Sequence, residues 1–170
     1  MKSSPQLERA AEGAPSELPD PVDRPAVKVR VLREGAVLPR YHSELAAGMD
    51  LSACPTDGRA IPIPPGAIRM VPCGFAMALP AGYEAQVRPR SGLASKFGVT
   101  LPNAPGTIDA DYRGEVIVPL INHGSAEFIV EPGMRIAQMV IARCAHARVE
   151  AVEELDETAR GSGGFGSTGR

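Results

Sequence analysis

The chain has 170 residues, of which 44% are hydrophobic and only 4% aromatic, and it contains no tryptophan. This length favours one domain, and the composition predicts a core of aliphatic side chains. The net charge of −2 argues against a general binder of nucleic acid or of anionic membranes, because such proteins are usually basic.

The N-terminal segment, residues 1–25, holds many prolines and charges but little that could be buried. We expect it to be a disordered extension, solvated rather than regulatory. It has neither the hydrophobic stretch of a secretory signal nor the composition of a typical transit peptide. No apolar run in the chain reaches the length of a membrane span, so we expect a cytoplasmic protein without a membrane partner.

Strand patterns follow the extension. Residues 27–31 alternate between apolar and polar side chains, as a half-buried strand does. Further strands, separated by turns rich in glycine and proline, are predicted over residues 68–71, 75–79, 83–87, 115–121, 128–130, 136–142 and 149–155. The chain has 18 glycines and 17 prolines, which disfavour long helices. We therefore predict an all-β sandwich or barrel, of jelly-roll type, over residues 26–155.

Cysteine and histidine residues show no pattern of metal ligands. Cys54, Cys73 and Cys144 are odd in number and widely spaced, so we expect reduced thiols rather than zinc ligands or disulfides. This fits a reducing compartment. The histidines also lack ligand spacing, and we expect His42 and His123 to face solvent.

Two polar segments precede residue 100. In residues 47–51 the carboxylate of Asp50 lies at the start of an apolar strand, where a buried aspartate needs a cationic partner. We expect Arg90 or Arg88 to be that partner, which makes Asp50 an orienting residue. Residues 88–96 add a hydroxyl, a glycine and a lysine to these arginines, which together predict a phosphate cradle. An ordinary basic turn is an equal alternative.

Residues 103–115 form the most specific segment of the chain. They predict a β-hairpin whose arms meet at residues 110–112 and whose unpaired backbone groups could read the edge of a base. Asp109 is a candidate general base, and Tyr112 is a candidate packing wall. The alternative is a surface turn in which aspartates cap backbone amides.

Two segments near the C-terminus carry polar groups. Arg135 and Gln138 lie three apart in one predicted strand, on opposite faces. Both can therefore serve one site only across a bend or a subunit boundary, and a polar pair on an edge strand is the alternative. Residues 160–170 combine an arginine, a phenylalanine, hydroxyls and glycines, which suit phosphate and a nucleobase. A disordered Gly/Ser end is the alternative.

Together these segments resemble the five ordered motifs of the homotrimeric dUTPase family. The matching stretches are residues 47–51, 89–94, Asn103 with 106–114, 135–139 and 160–169. The resemblance implies a jelly-roll-like β-fold and hydrolysis of dUTP to dUMP and pyrophosphate, which supplies dUMP for thymidylate synthesis and keeps uracil out of DNA. It also implies a Mg²⁺ held by the substrate phosphates and water, and a homotrimer with its sites at subunit interfaces.

The resemblance further implies roles for individual residues. Asp109 matches the carboxylate that activates the attacking water, and Tyr112 matches the residue stacked under the deoxyribose. The other substrate contacts are Asn103, Thr107, Ile108 and Ile117 for uracil, with Phe165 as its cover, and Arg90, Ser91, Gly92, Gln138, Arg160, Ser167 and Thr168 for the phosphates. The C-terminal arm, residues 156–170, is expected to close over the site of another protomer.

Other functions are weaker but remain open from the sequence. A dCTP deaminase, or its bifunctional relative, has the same fold but differs around residues 103–115 and lacks this form of glycine-rich arm. A non-catalytic nucleotide-binding trimer would need neither Asp109 nor the arm. A purely structural β-sandwich would leave the five motifs unexplained.

Overall fold

A computed structural model describes residues 24–164 of the chain. That range contains the strands β1 Lys28–Val31, β2 Met49–Ser52, β3 Ile61–Ile63, β4 Ile68–Ala78, β5 Tyr83–Pro89, β6 Val99–Thr100, β7 Gly106–Ile108, β8 Glu115–Asn122, β9 Phe128–Val130 and β10 Arg135–Arg143, with one helix, α1 Ser91–Phe97. The all-β prediction is confirmed. Strands β3 and β6 were not predicted, because β3 contains Pro62 and β6 has only two residues. Strand β7 falls within the first arm of the hairpin predicted over residues 103–115.

The strands form two four-stranded antiparallel sheets and one pair. The sheet orders are β1-β4-β8-β6 and β2-β10-β5-β7, and β3 pairs with β9. One aliphatic core receives side chains from both larger sheets, including Phe75, Val118, Leu120, Leu51, Ile136 and Met139. This arrangement is an open, jelly-roll-like sandwich in the part of the chain that the structure covers.

Strand β4 corrects the sequence prediction of two strands over residues 68–71 and 75–79. Pro72 has no backbone N–H, and the pairing register between β4 and β8 shifts just after it. Gly74 has a φ of +78°, and its N–H donates to the carboxylate of Glu115 at 2.8 Å. The Pro-Cys-Gly sequence therefore marks a bulge inside one strand and not a turn between two.

The predicted hairpin over residues 103–115 is wrong in its pairing. β7 pairs with β5, whereas β8 pairs with β4 and β6, so the two arms belong to different sheets. A turn joins them, in which the N–H of Tyr112 donates to the carbonyl of Asp109 at 3.1 Å. Because β7 is the last strand of its sheet, one side of its backbone has no strand neighbour within residues 24–164.

The predicted last strand, residues 149–155, is also wrong. The N–H of Cys144 donates to the carbonyl of Gly82, and no strand follows up to residue 164. Val149 and Leu155 are 92% and 84% exposed. An apolar segment forms a strand only where another strand pairs with it, and no strand of the described chain pairs with this segment.

The helix α1 is fixed at its C-terminal end. Gly98 ends it with a φ of +68°, and a Cβ there would lie 2.7 Å from the backbone nitrogen of Gly124. Glycine is therefore required both by this conformation and by the close approach of the turn after β8. Phe97 packs against Phe128 with ring centroids 5.3 Å apart. The first turn of α1, by contrast, is largely exposed.

Candidate active site

Asp50 on β2 lies at the centre of a cationic cluster. Its Oδ1 is 3.3 Å from Nε of Arg90, and its Oδ2 is 2.9 Å from Nη1 of Arg135 and 3.3 Å from Nε2 of His42. The Asp50 side chain is only 16% exposed, and these partners offset the cost of burying its charge. The predicted pairing with Arg90 is confirmed, whereas Arg88 contacts a glutamine of its own strand.

A bulge in β10 brings Arg135 and Gln138 to the same cluster. The register between β10 and β2 shifts between Arg135 and Ala137, which breaks the simple alternation of faces. Nε2 of Gln138 donates to the carbonyl of Pro89 at 2.9 Å, and Nη1 of Arg90 donates to the carbonyl of Arg135 at 3.0 Å. The bend predicted as one condition for a shared site is therefore present within a single chain.

Gly48 leaves the space that Gln138 occupies. A Cβ at Gly48 would lie 2.9 Å from Oε1 and 3.4 Å from Cβ of Gln138. A larger residue at position 48 would therefore move the Gln138 amide away from Pro89. No role for this glycine could be predicted from the sequence, because its neighbours in the chain do not reveal which side chain packs against it.

Ser91 and Gly92 form the first turn of α1, immediately after Arg90. No side chain caps this end, and the N–H of Leu93 is the first in the helix to donate to the Arg90 carbonyl. The N–H groups of Ser91 and Gly92 therefore lack a helical partner, and both residues are exposed. The segment predicted as a basic phosphate loop is thus the start of a helix beside the arginine cluster.

A second group of predicted site residues lies along β7. Thr107 is exposed and Ile108 half-buried, and both belong to the edge strand with an unpaired side. Nδ2 of Asn103 lies 3.1 Å from the position a Cβ would take on Gly106. An amide side chain and a free backbone edge therefore lie side by side, and such groups can recognise the edge of a base.

The turn after β7 presents Asp109 and Tyr112. The carboxylates of Asp109 and Asp111 accept no hydrogen bond from any residue between 24 and 164, so the structure shows no aspartate cap there. The Tyr112 hydroxyl donates to the carbonyl of Glu115 at 3.0 Å. A Cβ on Gly114 would clash with the same phenol, so the glycine lets the ring lie against the backbone.

An ion pair that was not predicted from the sequence lies behind this turn, between Glu115 and Arg33. The two terminal nitrogens of the Arg33 guanidinium, Nη1 and Nη2, contact the Glu115 carboxylate, with Nη2 and Oε2 2.6 Å apart. Arg33 is the main cause that lowers the pKa of Glu115, the Gly74 N–H adds to it, and burial opposes it. Burial, assisted by Glu115, raises the pKa of the Cys73 thiol to about 12. The ion pair joins residues 82 positions apart, so no local motif signals it.

Two predicted contacts lie apart from these groups. Ile117 belongs to β8, in the other sheet from β7, and lines a surface pocket of about 520 Å³ together with Glu115. Arg160 is exposed in a local turn, where its Nε donates to the carbonyl of Gly163 at 2.8 Å. No hydrogen bond of the described residues links positions 145–164 to the sheets.

Three predicted arm residues, Phe165, Ser167 and Thr168, lie outside the described residues. Between residues 24 and 164, no group of three or more histidine, cysteine or acidic residues is placed to bind a metal ion. The three cysteines are free thiols. The described residues contain one helix, α1, and it is not long and apolar enough to cross a membrane.

Comparison with known proteins gives consistent matches. The model of the dUTPase family matches residues 34–169. The deoxyuridine 5'-triphosphate nucleotidohydrolase of Syntrophotalea carbinolica is 60% identical over 143 residues, covering 84% of this chain and 96% of the relative. The protein of the same name from Maricaulis maris is 57% identical over 145 residues, with 84% and 95% covered.

Solved structures share the fold. A dUTPase of Staphylococcus bacteriophage 80alpha, solved with dUpNHpp, superposes with a TM-score of 0.77 at 24% identity, over 85% of this chain and 99% of the phage protein. A dUTPase of phage phi11 of S. aureus, described with a structural Mg(II) ion, gives a TM-score of 0.70 at 22% identity, over 78% and 99%. At these identities the likeness supports the architecture alone.

Proposed function

The chain belongs to the dUTPase family, and from this premise we propose how its residues hydrolyse dUTP to dUMP and pyrophosphate. The observation that carries the proposal is the Asp50 cluster, which fixes Arg90 beside the exposed first turn of α1. Arg90, Ser91, Gly92 and Gln138 are the proposed phosphate contacts. A guanidinium, a hydroxyl and free N–H groups favour the charge of a triphosphate.

Asp109 is the proposed general base. Its carboxylate is exposed and has no partner in residues 24–164, so it is available to a water molecule. The water oxygen attacks the α-phosphorus while Asp109 accepts the proton, and the bond from the α-phosphorus to the bridging oxygen of the leaving pyrophosphate breaks. The arginines stabilise the charge that grows on that leaving group.

Recognition of the nucleoside is assigned to β7 and the following turn. The free backbone edge at Thr107 and Ile108, with the amide of Asn103, offers a pattern of donors and acceptors that fits uracil and rejects cytosine. The Tyr112 ring, anchored through its hydroxyl, is the proposed wall under the deoxyribose. Ile117 stays a prediction, because its strand lies in the other sheet.

Mg²⁺ is the proposed cofactor. The residues fit an ion that arrives with the triphosphate, since Asp50 is already shared by arginines and the described residues place no group of three or more acidic, histidine or cysteine ligands around Asp109. Mg²⁺ favours such a shell of phosphate oxygens and water. When bound, it would neutralise charge on the leaving pyrophosphate.

A homotrimer with sites shared between subunits is also proposed, with residues 156–170 as an arm that closes over the site. Exposed apolar side chains on β4, β8 and β9 support assembly, namely Ile68, Met70, Ile117 and Ile129. The hydrogen bonds of the described part of the arm are all local, which suits a segment that docks on another copy or on substrate. The free thiols are consistent with a cytoplasmic location.

The test is Mg²⁺-dependent release of pyrophosphate from dUTP, dCTP, dTTP and UTP, with the product base identified by chromatography. We expect release from dUTP alone. Conversion of dCTP to a uracil nucleotide would instead assign the chain to the deaminase branch. Absence of turnover with every nucleotide would indicate a binding protein.

A further inference from the structure

We propose that His42 is a positioning residue that makes phosphate binding respond to pH, an inference that rests on the proposed phosphate role of Arg90. Nε2 of His42 lies 3.3 Å from Oδ2 of Asp50, the same oxygen that accepts the 2.9 Å hydrogen bond from Arg135. The other oxygen of Asp50 faces Arg90. One carboxylate is thus shared by two arginines and by one side chain that can change its charge.

One carboxylate and three arginines make up the charged surroundings of His42. It lines a cavity of about 490 Å³ whose polar wall comes from Arg40, Asp50, Ser52 and Arg135 and whose apolar wall comes from Val37 and Leu38. The backbone carbonyl of Arg40 accepts the N–H of Asp50 at 3.1 Å, which ties the His42 loop to β2. The titratable and charged groups that face His42 are therefore Asp50, Arg40 and Arg135, with Arg90 beyond the carboxylate. Its side chain is 39% exposed, so protons reach it from solvent.

The physical effect follows from sharing the carboxylate. Histidine side chains change charge between about pH 5 and pH 8. A protonated His42 places a second cation against Oδ2, which weakens the hold of Asp50 on Arg135. It also leaves the negative charge of Asp50 less able to neutralise Arg90. The phosphate-binding face becomes more positive, so a triphosphate binds more tightly at acidic pH than it would beside a neutral side chain.

The experiment compares two substitutions that fix the charge of position 42. His42→Gln stays neutral and keeps a polar amide, whereas His42→Arg stays charged at every pH tested. The dissociation constant of a non-hydrolysable imido analogue of dUTP is measured by calorimetry at about pH 5.5 and about pH 8. Ionisation of the ligand affects all variants equally, so it cancels in the ratio between variant and wild type.

We expect wild type to bind about threefold more tightly than His42→Gln at the lower pH and equally at the higher pH. His42→Arg should bind tightly at both. His123→Gln is the matched control, because His123 is exposed on the turn after β8, and it should keep the wild-type ratio. A ratio of wild type to His42→Gln that is the same at both pH values would overturn the inference.

A second measurement does not depend on that ratio. Because binding and protonation are linked, the wild-type protein should take up a fraction of a proton when it binds the analogue at intermediate pH, and His42→Gln should take up less. Equal uptake by the two proteins overturns the role of His42. Turnover of dUTP by wild type at about pH 8 tests the proposed function separately. If wild type hydrolyses dUTP but the ratio of the dissociation constants of wild type and His42→Gln is the same at both pH values, only the His42 inference is rejected. If that ratio changes with pH but dUTP is not hydrolysed, only the proposed reaction is rejected.

Discussion

The proposed phosphate contacts and the proposed catalytic base differ in how far other side chains of the same chain hold them in place. Asp50 forms ion pairs with Arg90 and Arg135, and the Arg90 side chain also donates to the backbone carbonyl of Arg135, all within one chain. Asp109 and Arg160, by contrast, are exposed and contact neither each other nor that cluster in the described residues. This difference supports the proposal that the positive charges are fixed in advance, whereas Asp109 and the arm need substrate or a second subunit to complete the site.

The largest effect on turnover should come from Asp109, the proposed base that no other described residue holds in place. Asp109→Asn removes the proposed base while keeping size and polarity, and turnover should fall about 10³-fold with nucleotide binding retained. Folding should not change, because the carboxylate has no partner in residues 24–164. Steady-state kinetics with calorimetric binding measures both quantities.

The neighbouring aspartate provides the control for this substitution. Asp111 is exposed in the same turn and also accepts no hydrogen bond from the described chain. Asp111→Asn should keep turnover within about twofold of wild type. Equal losses in the two variants would show that the turn, and not one carboxylate, is what matters.

The next effect tests the arm. A stop codon after Thr158 removes Arg160, Phe165, Ser167 and Thr168, and turnover should fall about 10²-fold. The melting temperature should not change, because the described arm makes only local hydrogen bonds. Deletion of residues 1–23 serves as the control and should leave turnover intact. An arm-less protein with full activity would mean that the site is complete without it.

Substitution of Glu115, behind the turn of Asp109, tests how much its ion pair with Arg33 stabilises the fold. Glu115→Gln loses the charge pair with Arg33 and should lower the free energy of unfolding by about 2 kcal/mol at neutral pH. The folded pKa of Glu115 is lowered, so its contribution is present above the unfolded value of about 4.3 and is lost as pH falls through the folded pKa. Urea unfolding should therefore show the gap between the two proteins closing in acid. A gap that persists there, or an equal loss in the exposed control Glu127→Gln, contradicts this assignment.

The smallest effect should come from the residues around Asp50, which hold one another in place within one chain. Gly48→Ala pushes on the Gln138 amide, and the KM for dUTP should rise about threefold with little change in kcat. Alanine is tolerated by the backbone at this position, so stability should be nearly unchanged. In a Gln138→Ala background the same substitution should have no further effect on KM. Additive effects would place the action of Gly48 elsewhere.

The sequence allows prediction where a rule is local or where a charge must be paired. The alternation at residues 27–31 predicts β1, and the cost of burying Asp50 predicts a partner, found to be Arg90. The bulge at Gly74 reads as a strand break, because proline and glycine mark turns and bulges alike. The local sequence therefore indicates that the chain is irregular at Gly74, but only the pairing of β4 with β8 shows that the irregularity is a bulge.

Long-range pairing explains what the sequence could not predict. The pattern of residues 103–115 predicts a hairpin, but β7 pairs with β5 and β8 pairs with β4, in two different sheets. Arg33 and Glu115 are 82 positions apart in the sequence, so no spacing points to the pair. His42 approaches Asp50 only because the backbone of Arg40 is bridged to β2.

The contact between Gly98 and Gly124 has an evolutionary consequence. It anchors α1 from the end that lies away from the proposed phosphate contacts, and the Phe97 and Phe128 rings reinforce that anchor. The residues that hold the helix are therefore different from those that its first turn offers to a ligand. Substitutions at Ser91 can change what is bound at little cost to folding, whereas the two glycines are closed to change. A lineage that acquired a new phosphate ligand would be expected to vary the start of this helix and to keep its end.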